Sequence, residues 1–396
     1  MSVTSQKLKL NDFLIYITIF VSLFSYEYTL YRSNYRLMIL AVFIIGFTIF
    51  FLNLFHKQHF INYKKILKDN SLVHLLSISI LISTLITTFK HGLITYNGLI
   101  SVCLTIFSIY IFYLFIPILV LKNLDALINK IFYIITILSV ISIIIVIRGS
   151  FLGYTPQYNR ISSILFDPNY FGTLSAIGFI IGVHIKKYRY LSILNFISLY
   201  YSGSRAAMLG LIIVIITLFF YAKKIRLSTL LMFLIICIIT FGFIVYLYSI
   251  DFFRVYQGLN SREILWDLSF LLIRSEPWWG YGYGVVSQLI ESFGLMNSSS
   301  HNAFLDYILT YGIISFMLNA LVILKAIYIG IKNKVSTHII KSVIFLLIVS
   351  NSITITVGGL GATSLLFTLF LGICNLSGYK DEIMSPSTRT LREHSI

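Results

Sequence analysis

Charge is scarce in this chain, and acid is scarcest. Asp and Glu number 14 and Lys and Arg 30 in 396 residues, so charged types make up 11% of the sequence. With 58% hydrophobic residues and a mean hydropathy of +0.90, a water-soluble domain is excluded: no core of this size buries that much apolar surface, whereas a bilayer accepts it as solvent. Proline is rare, with 5 residues, so long helices go uninterrupted. The three cysteines, Cys103, Cys237 and Cys374, fall inside apolar runs and read as small buried hydrophobes, not as a disulfide or metal set. The net charge of +16 does not imply nucleic acid, because the basic residues are scattered singly between apolar runs and form no stripe or tail. There is no P-loop, no His and Cys cluster at zinc spacing, and no paired-aspartate motif. The expectation is chemistry without a metal or cofactor.

Long apolar runs are present throughout. Set against the roughly 20 residues that cross a hydrocarbon core, they place spans near 11–30, 37–55, 71–89, 99–121, 130–147 and 165–185. Further runs follow near 189–201, 205–222, 228–250, 302–330, 340–357 and 361–377, that at 189–201 being short. The first run is flanked by Tyr26, Glu27 and Tyr28, without a small-residue cleavage site, so it reads as a span and not a signal peptide. The predicted architecture is an all-α integral membrane protein of about twelve transmembrane helices. Residues 1–396 form one polytopic domain, with a long extracytoplasmic loop at 251–301 and a cytoplasmic tail at 378–396.

Assigning loops to alternate sides, with Lys7 and Lys9 in the cytoplasm, leaves nine basic residues outside: Arg32, Arg36, Lys90, Arg148, Arg160, Arg205, Arg254, Arg262 and Arg274. The other 21 of the 30 lie inside, which follows the positive-inside rule and puts both termini in the cytoplasm. Eight of the nine outer residues are arginine, while the inner set is mostly lysine. Orientation needs only positive charge, so the outer arginines ask for another reason. Their rigid fork of donors suits phosphate and carboxylate; anchoring at lipid headgroups is the plainer alternative.

In this topology every even-numbered span starts at the outer surface, where a helix N-terminus favours an anion. Three such starts carry distinctive sequence. Arg160 precedes Asp167-Pro168-Asn169, which reads as an N-cap with proline in the first turn. Gly203-Ser204-Arg205-Ala206 makes a tight turn with arginine in the first turn, against the dipole unless an anion compensates. Ser298-Ser299-Ser300-His301-Asn302 leads to Asp306; a serine cap would put His301 in the first turn, favouring neutral imidazole able to accept a proton. Within the long loop, Arg262 and Trp266 share a helical face, and Arg274 precedes the run Pro277-Trp278-Trp279-Gly280-Tyr281-Gly282-Tyr283-Gly284. That run offers flat aromatic surfaces and close backbone approach, as sugar-binding clefts do, or else an interfacial anchor.

These motifs, in this order and on one side of the membrane, resemble the O-antigen polymerase and O-antigen ligase superfamily of bacterial envelope polysaccharide synthesis. The likeness runs from about Arg148 to Gly312. It implies metal-independent, inverting glycosyl transfer on the outer face of the bacterial cytoplasmic membrane, between glycans carried on undecaprenyl pyrophosphate. It further implies arginines on the pyrophosphate and a histidine assisting the acceptor hydroxyl. The resulting expectation is a repeat-unit polymerase for O-antigen or capsule, with His301, Arg205 and Arg262 catalytic and with Arg160, Asn169, Trp266, Arg274 and Asn302 binding substrate. Asp167, Glu263, Asp267 and Asp306 are lesser candidates for the base. The expected partners are an undecaprenyl-pyrophosphate-linked oligosaccharide, the lipid bilayer, a chain-length regulator and a flippase; nucleic acid is not among them. The alternatives are a ligase-type glycan transferase and a lipid-linked oligosaccharide flippase.

Overall fold

The computed structural model describes residues 65–91, 96–150, 160–165, 167–221, 262–295 and 299–380. The predicted spans at 11–30, 37–55 and 228–250, the first part of the long loop and most of the 378–396 tail lie outside these residues. Every regular element described is a helix. In chain order they are α1 (Ser71–His91), α2 (Tyr96–Ser108), a π-helical stretch (Ile109–Phe115), α3 (Ile116–Val120), α4 (Leu124–Arg148), α5 (Pro168–His184) and α6 (Ser192–Ser202). They continue with α7 (Arg205–Tyr221), α8 (Arg262–Ser275), α9 (Val285–Ser292), α10 (Ala303–Lys332), α11 (Thr337–Val349) and α12 (Ala362–Leu376).

Among the described residues, five segments are long and apolar enough to cross a membrane: Ser71–Lys90, Gly98–Val120, Leu124–Arg148, Ala303–Lys332 and Ala362–Tyr379. The chain is therefore an α-helical membrane protein. An apolar stripe of Ile313, Met317, Leu321, Leu324, Tyr328 and Ile331 runs exposed along α10, a surface suited to hydrocarbon and unsuited to water. At the centre, every residue of α12 is buried.

Polar side chains join the apolar helices where they pack. Ser139 donates to the Asn195 carbonyl oxygen at 2.7 Å, the Asn195 amide donates to Thr136 at 3.2 Å, and Ser142 meets Ser198 at 2.8 Å, knitting α4 to α6. Without a hydrophobic drive between helices in lipid, such bonds and close packing supply the specificity.

Two predicted spans need correction. The run at 340–357 forms a helix only to Val349; residues 350–361 are turns held by side chains, with the Gly358 amide donating to Thr368 at 3.0 Å and the Thr356 amide to Ser364 at 3.2 Å. The run at 302–330 is a helix broken at Gly312, whose φ of 77° and ψ of 173° are outside helical geometry. The freed backbone groups are taken up by the tryptophan and glycine run of the long loop. Tyr281 N–H donates to the Leu309 carbonyl at 2.7 Å, Gly282 N–H to Thr310 at 3.0 Å, and Ile313 N–H to the Pro277 carbonyl at 2.9 Å. Irregular backbone within an apolar span persists only when protein satisfies it. The close backbone approach read as a sugar cleft is thus made against α10. A Cβ on Gly312 would sit 2.0 Å from the Trp278 carbonyl oxygen.

Candidate functional site

One end of the bundle gathers the starts of α5, α7, α8 and α10 with the ends of α6 and α11. Asp167 has extended backbone, and its carboxylate accepts from the Asn169 amide at 2.6 Å, with Pro168 opening the helix. This cap was legible because its parts are adjacent in sequence. Arg160 reaches the same turn: Nη2 donates to Asn169 Oδ1 at 2.6 Å, and Nε donates to the Ser202 carbonyl at 2.8 Å. The backbone follows, since Ile161 N–H donates to the Tyr201 carbonyl at 3.2 Å.

Gly203 ends α6 in the left-handed region, at φ 58°, and a Cβ there would lie 3.3 Å from the Arg160 side chain. The Ser204 hydroxyl accepts from the Ala207 amide at 3.4 Å, and Arg205 opens α7 immediately after it. The chain thus turns under Arg160, bringing the first and second predicted motifs together.

Arg262 opens α8, half-buried, within electrostatic reach of Asp167. Burial lowers its pKa, and the Asp167 carboxylate acts in the opposite direction. One turn along, the Trp266 indole N–H donates to the Ser300 carbonyl at 3.1 Å, tying α8 to the entry of α10. Arg274 lies elsewhere. It is exposed in the last turn of α8, twelve residues past Arg262 and so about 18 Å along the axis; it does not join the cluster.

The entry to α10 also departs from expectation. Asn302, not a serine, is the N-cap, its Oδ1 accepting from Phe304 N–H at 3.0 Å and Leu305 N–H at 3.3 Å. His301 therefore stands one residue outside the helix, with φ of 54°, a conformation few residues with a side chain adopt. Several bonds enforce it: the Ser300 amide donates to Asp306 Oδ1 at 2.8 Å, the Asn302 amide to the Ser300 hydroxyl at 3.2 Å, and Ala303 N–H to the Ser350 carbonyl at 2.9 Å. The Thr354 hydroxyl completes the brace by donating to Asp306 Oδ2 at 2.8 Å. Both Asp306 oxygens are committed to this framework, where the carboxylate braces the turn. Thr354 escaped the sequence reading because it sits in a run taken for a span.

The His301 imidazole is held below its usual pKa range. Burial is the first cause and the Arg262 charge the second; Asp306 and Asp167 oppose both. The lowering favours the neutral form of the imidazole, which can accept a proton, and the Arg262 guanidinium lies within electrostatic reach of it.

Residues 190–320 match a protein-family model described as O-antigen ligase. This stretch takes in Arg205, Arg262, Trp266 and His301, while Arg160 and Asn169 precede it. No curated protein matches the chain.

Proposed function

We propose that this chain, whose residues 190–320 match the O-antigen ligase family model, is a repeat-unit polymerase for a bacterial envelope polysaccharide. Its reaction joins two glycans carried on undecaprenyl pyrophosphate at the outer face of the cytoplasmic membrane. The single observation that carries this reading is the grouping of His301, Arg262 and Asp167 within mutual electrostatic reach, next to the Arg160–Asn169 pair.

A sugar hydroxyl of the acceptor gives its proton to neutral His301 as its oxygen bonds to the anomeric carbon of the donor glycan. The bond from that carbon to pyrophosphate breaks on the opposite side, which inverts the anomeric configuration. The departing pyrophosphate keeps the electron pair, and Arg160, Arg205 and Arg262 stabilise the charge that develops on it. Asn169, Trp266 and Asn302 shape the surrounding turns.

Replacing His301 or Arg262 by alanine should leave the protein in the membrane and remove long glycan from a surface-polysaccharide gel. Wild-type chain lengths in both variants would end this reading. A ligase is the second reading, favoured by the description of the matching family model. Gene deletion separates the two: loss of a polymerase leaves single repeat units on the final acceptor, and loss of a ligase leaves long lipid-linked chains. Polymer formation by purified protein from lipid-linked repeat units, with no energy source, would exclude a flippase.

A further inference from the structure

At the end of the bundle away from His301, three basic side chains meet between α5 and α11. Lys341 is 9% exposed, although it belongs to an apolar helix, and its ammonium donates to His184 Nε2. His184, the last residue of α5, directs Nδ1 to the Ile180 carbonyl at 2.7 Å. That bond places the ring proton on Nδ1 and leaves Nε2 as acceptor for the lysine. His338 precedes Lys341 by three residues and so shares its helical face. Its ring centroid is 6.4 Å from that of His184, and its Nε2 is buried with no hydrogen-bond partner.

The charge here is lopsided. Asp125, in the first turn of α4, is the carboxylate that acts on His338, and among the described residues no carboxylate pairs with Lys341. A buried ammonium without a counter-ion is costly, and in a membrane protein such a group marks a site. The first turn of α11 adds its positive dipole end, and its N-cap Ser336 makes no side-chain capping bond. Lys186 and Lys187 follow directly after the α5 end. His184 itself is exposed, so the cluster opens to the surface.

We propose that Lys341, His184 and His338 form a phosphate-binding site at the bundle end opposite the candidate transfer site. Its ligand is a phosphate group, either in the headgroup of an anionic phospholipid or as free phosphate. The lysine supplies the charge, the unpartnered imidazole nitrogen of His338 a further hydrogen bond, and the α11 start backbone amides. This site is independent of the proposed reaction.

The test follows thermal melting of the purified full-length protein in detergent while inorganic phosphate, phosphatidylglycerol or phosphatidylcholine is added. A phosphate ligand raises the wild-type midpoint in a saturable way, whereas phosphatidylcholine, whose headgroup is neutral overall, has less effect. Lys341→Met should fold with an unchanged or raised ligand-free midpoint, since it no longer buries a charge, and should bind the anion roughly tenfold more weakly or worse. A His184→Gln, His338→Gln double variant keeps the lysine and should also bind more weakly, which carries the test should Lys341→Met fail to fold. Stabilisation by phosphatidylglycerol that inorganic phosphate does not reproduce identifies the lipid as the source; saturation by inorganic phosphate alone identifies the free ion. No wild-type response to either anion, or equal responses in the wild type and the variants, would overturn the proposal.

Discussion

The Asp306 carboxylate accepts the Ser300 amide at 2.8 Å, across the residue that carries the imidazole of the candidate site. Its second oxygen accepts the Thr354 hydroxyl, also at 2.8 Å. A carboxylate inside the first turn of an apolar helix thereby reaches back over the cap and fixes the left-handed turn at His301.

Removing this brace should cost stability in two grades. Thr354→Val deletes one hydrogen bond and should lower stability by about 1 kcal/mol, while Asp306→Ala leaves the Ser300 amide and the Thr354 hydroxyl without their acceptor and should cost about 3 kcal/mol or more. Asp306→Asn keeps an acceptor for Ser300 and should fall between them. Melting midpoints of the three purified variants check the order. An Asp306→Ala midpoint equal to wild type would show that the carboxylate does not brace the turn.

What the sequence made legible here follows the range of each interaction. The Asp167-Pro168 cap and the Gly203 turn are local, so adjacent residues announce them. The cap of α10 is equally local but ambiguous, since Ser298, Ser299, Ser300 and Asn302 are all good caps and only the fold selects Asn302. The break at Gly312 was hidden because its partners, Pro277 to Gly282, lie some thirty residues earlier, and an apolar run looks the same whether its backbone bonds close within the helix or across to a loop. Asp306 and Thr354 are 48 residues apart, and nothing in either neighbourhood points to the other.

Gly312 should tolerate no side chain. Alanine at φ 77° is strained, and its Cβ would meet the Trp278 carbonyl, so Gly312→Ala should cost roughly 3 kcal/mol or more and release the 277–284 segment from α10. Limited proteolysis should then cut within that segment, where the wild type resists. An uncut Gly312→Ala protein would show that the segment docks by other means.

The pH response of polymer formation should report on His301. Its pKa is lowered from 6.5, so the neutral, proton-accepting form persists into mildly acid solution, and activity should fall only below the ordinary imidazole range. Asp167 opposes that lowering; Asp167→Asn keeps a capping oxygen but removes the charge. Its acid limb should therefore move further down. Arg262→Gln removes a charge that lowers the pKa, and its acid limb should move up, whatever the residual rate. Limbs that stay in place in both variants would separate His301 from the proton transfer.

Arg160 tests whether the cluster needs the shape of arginine or only its charge. Its Nε and Nη2 donate in two directions, to the Ser202 carbonyl closing α6 and to the Asn169 side chain opening α5. Lysine keeps the charge but has one compact ammonium and no planar fork, so it holds one of these turns and releases the other. Arg160→Lys should therefore lower polymer formation about tenfold or more, with the protein still in the membrane. Asn169→Ala, which removes only the second contact, should lose less. The comparison is informative in both directions. Were lysine to sustain wild-type chain length, charge alone would suffice, and Arg160 would act as an electrostatic neighbour of the pyrophosphate and not as the clamp that aligns the two turns around it.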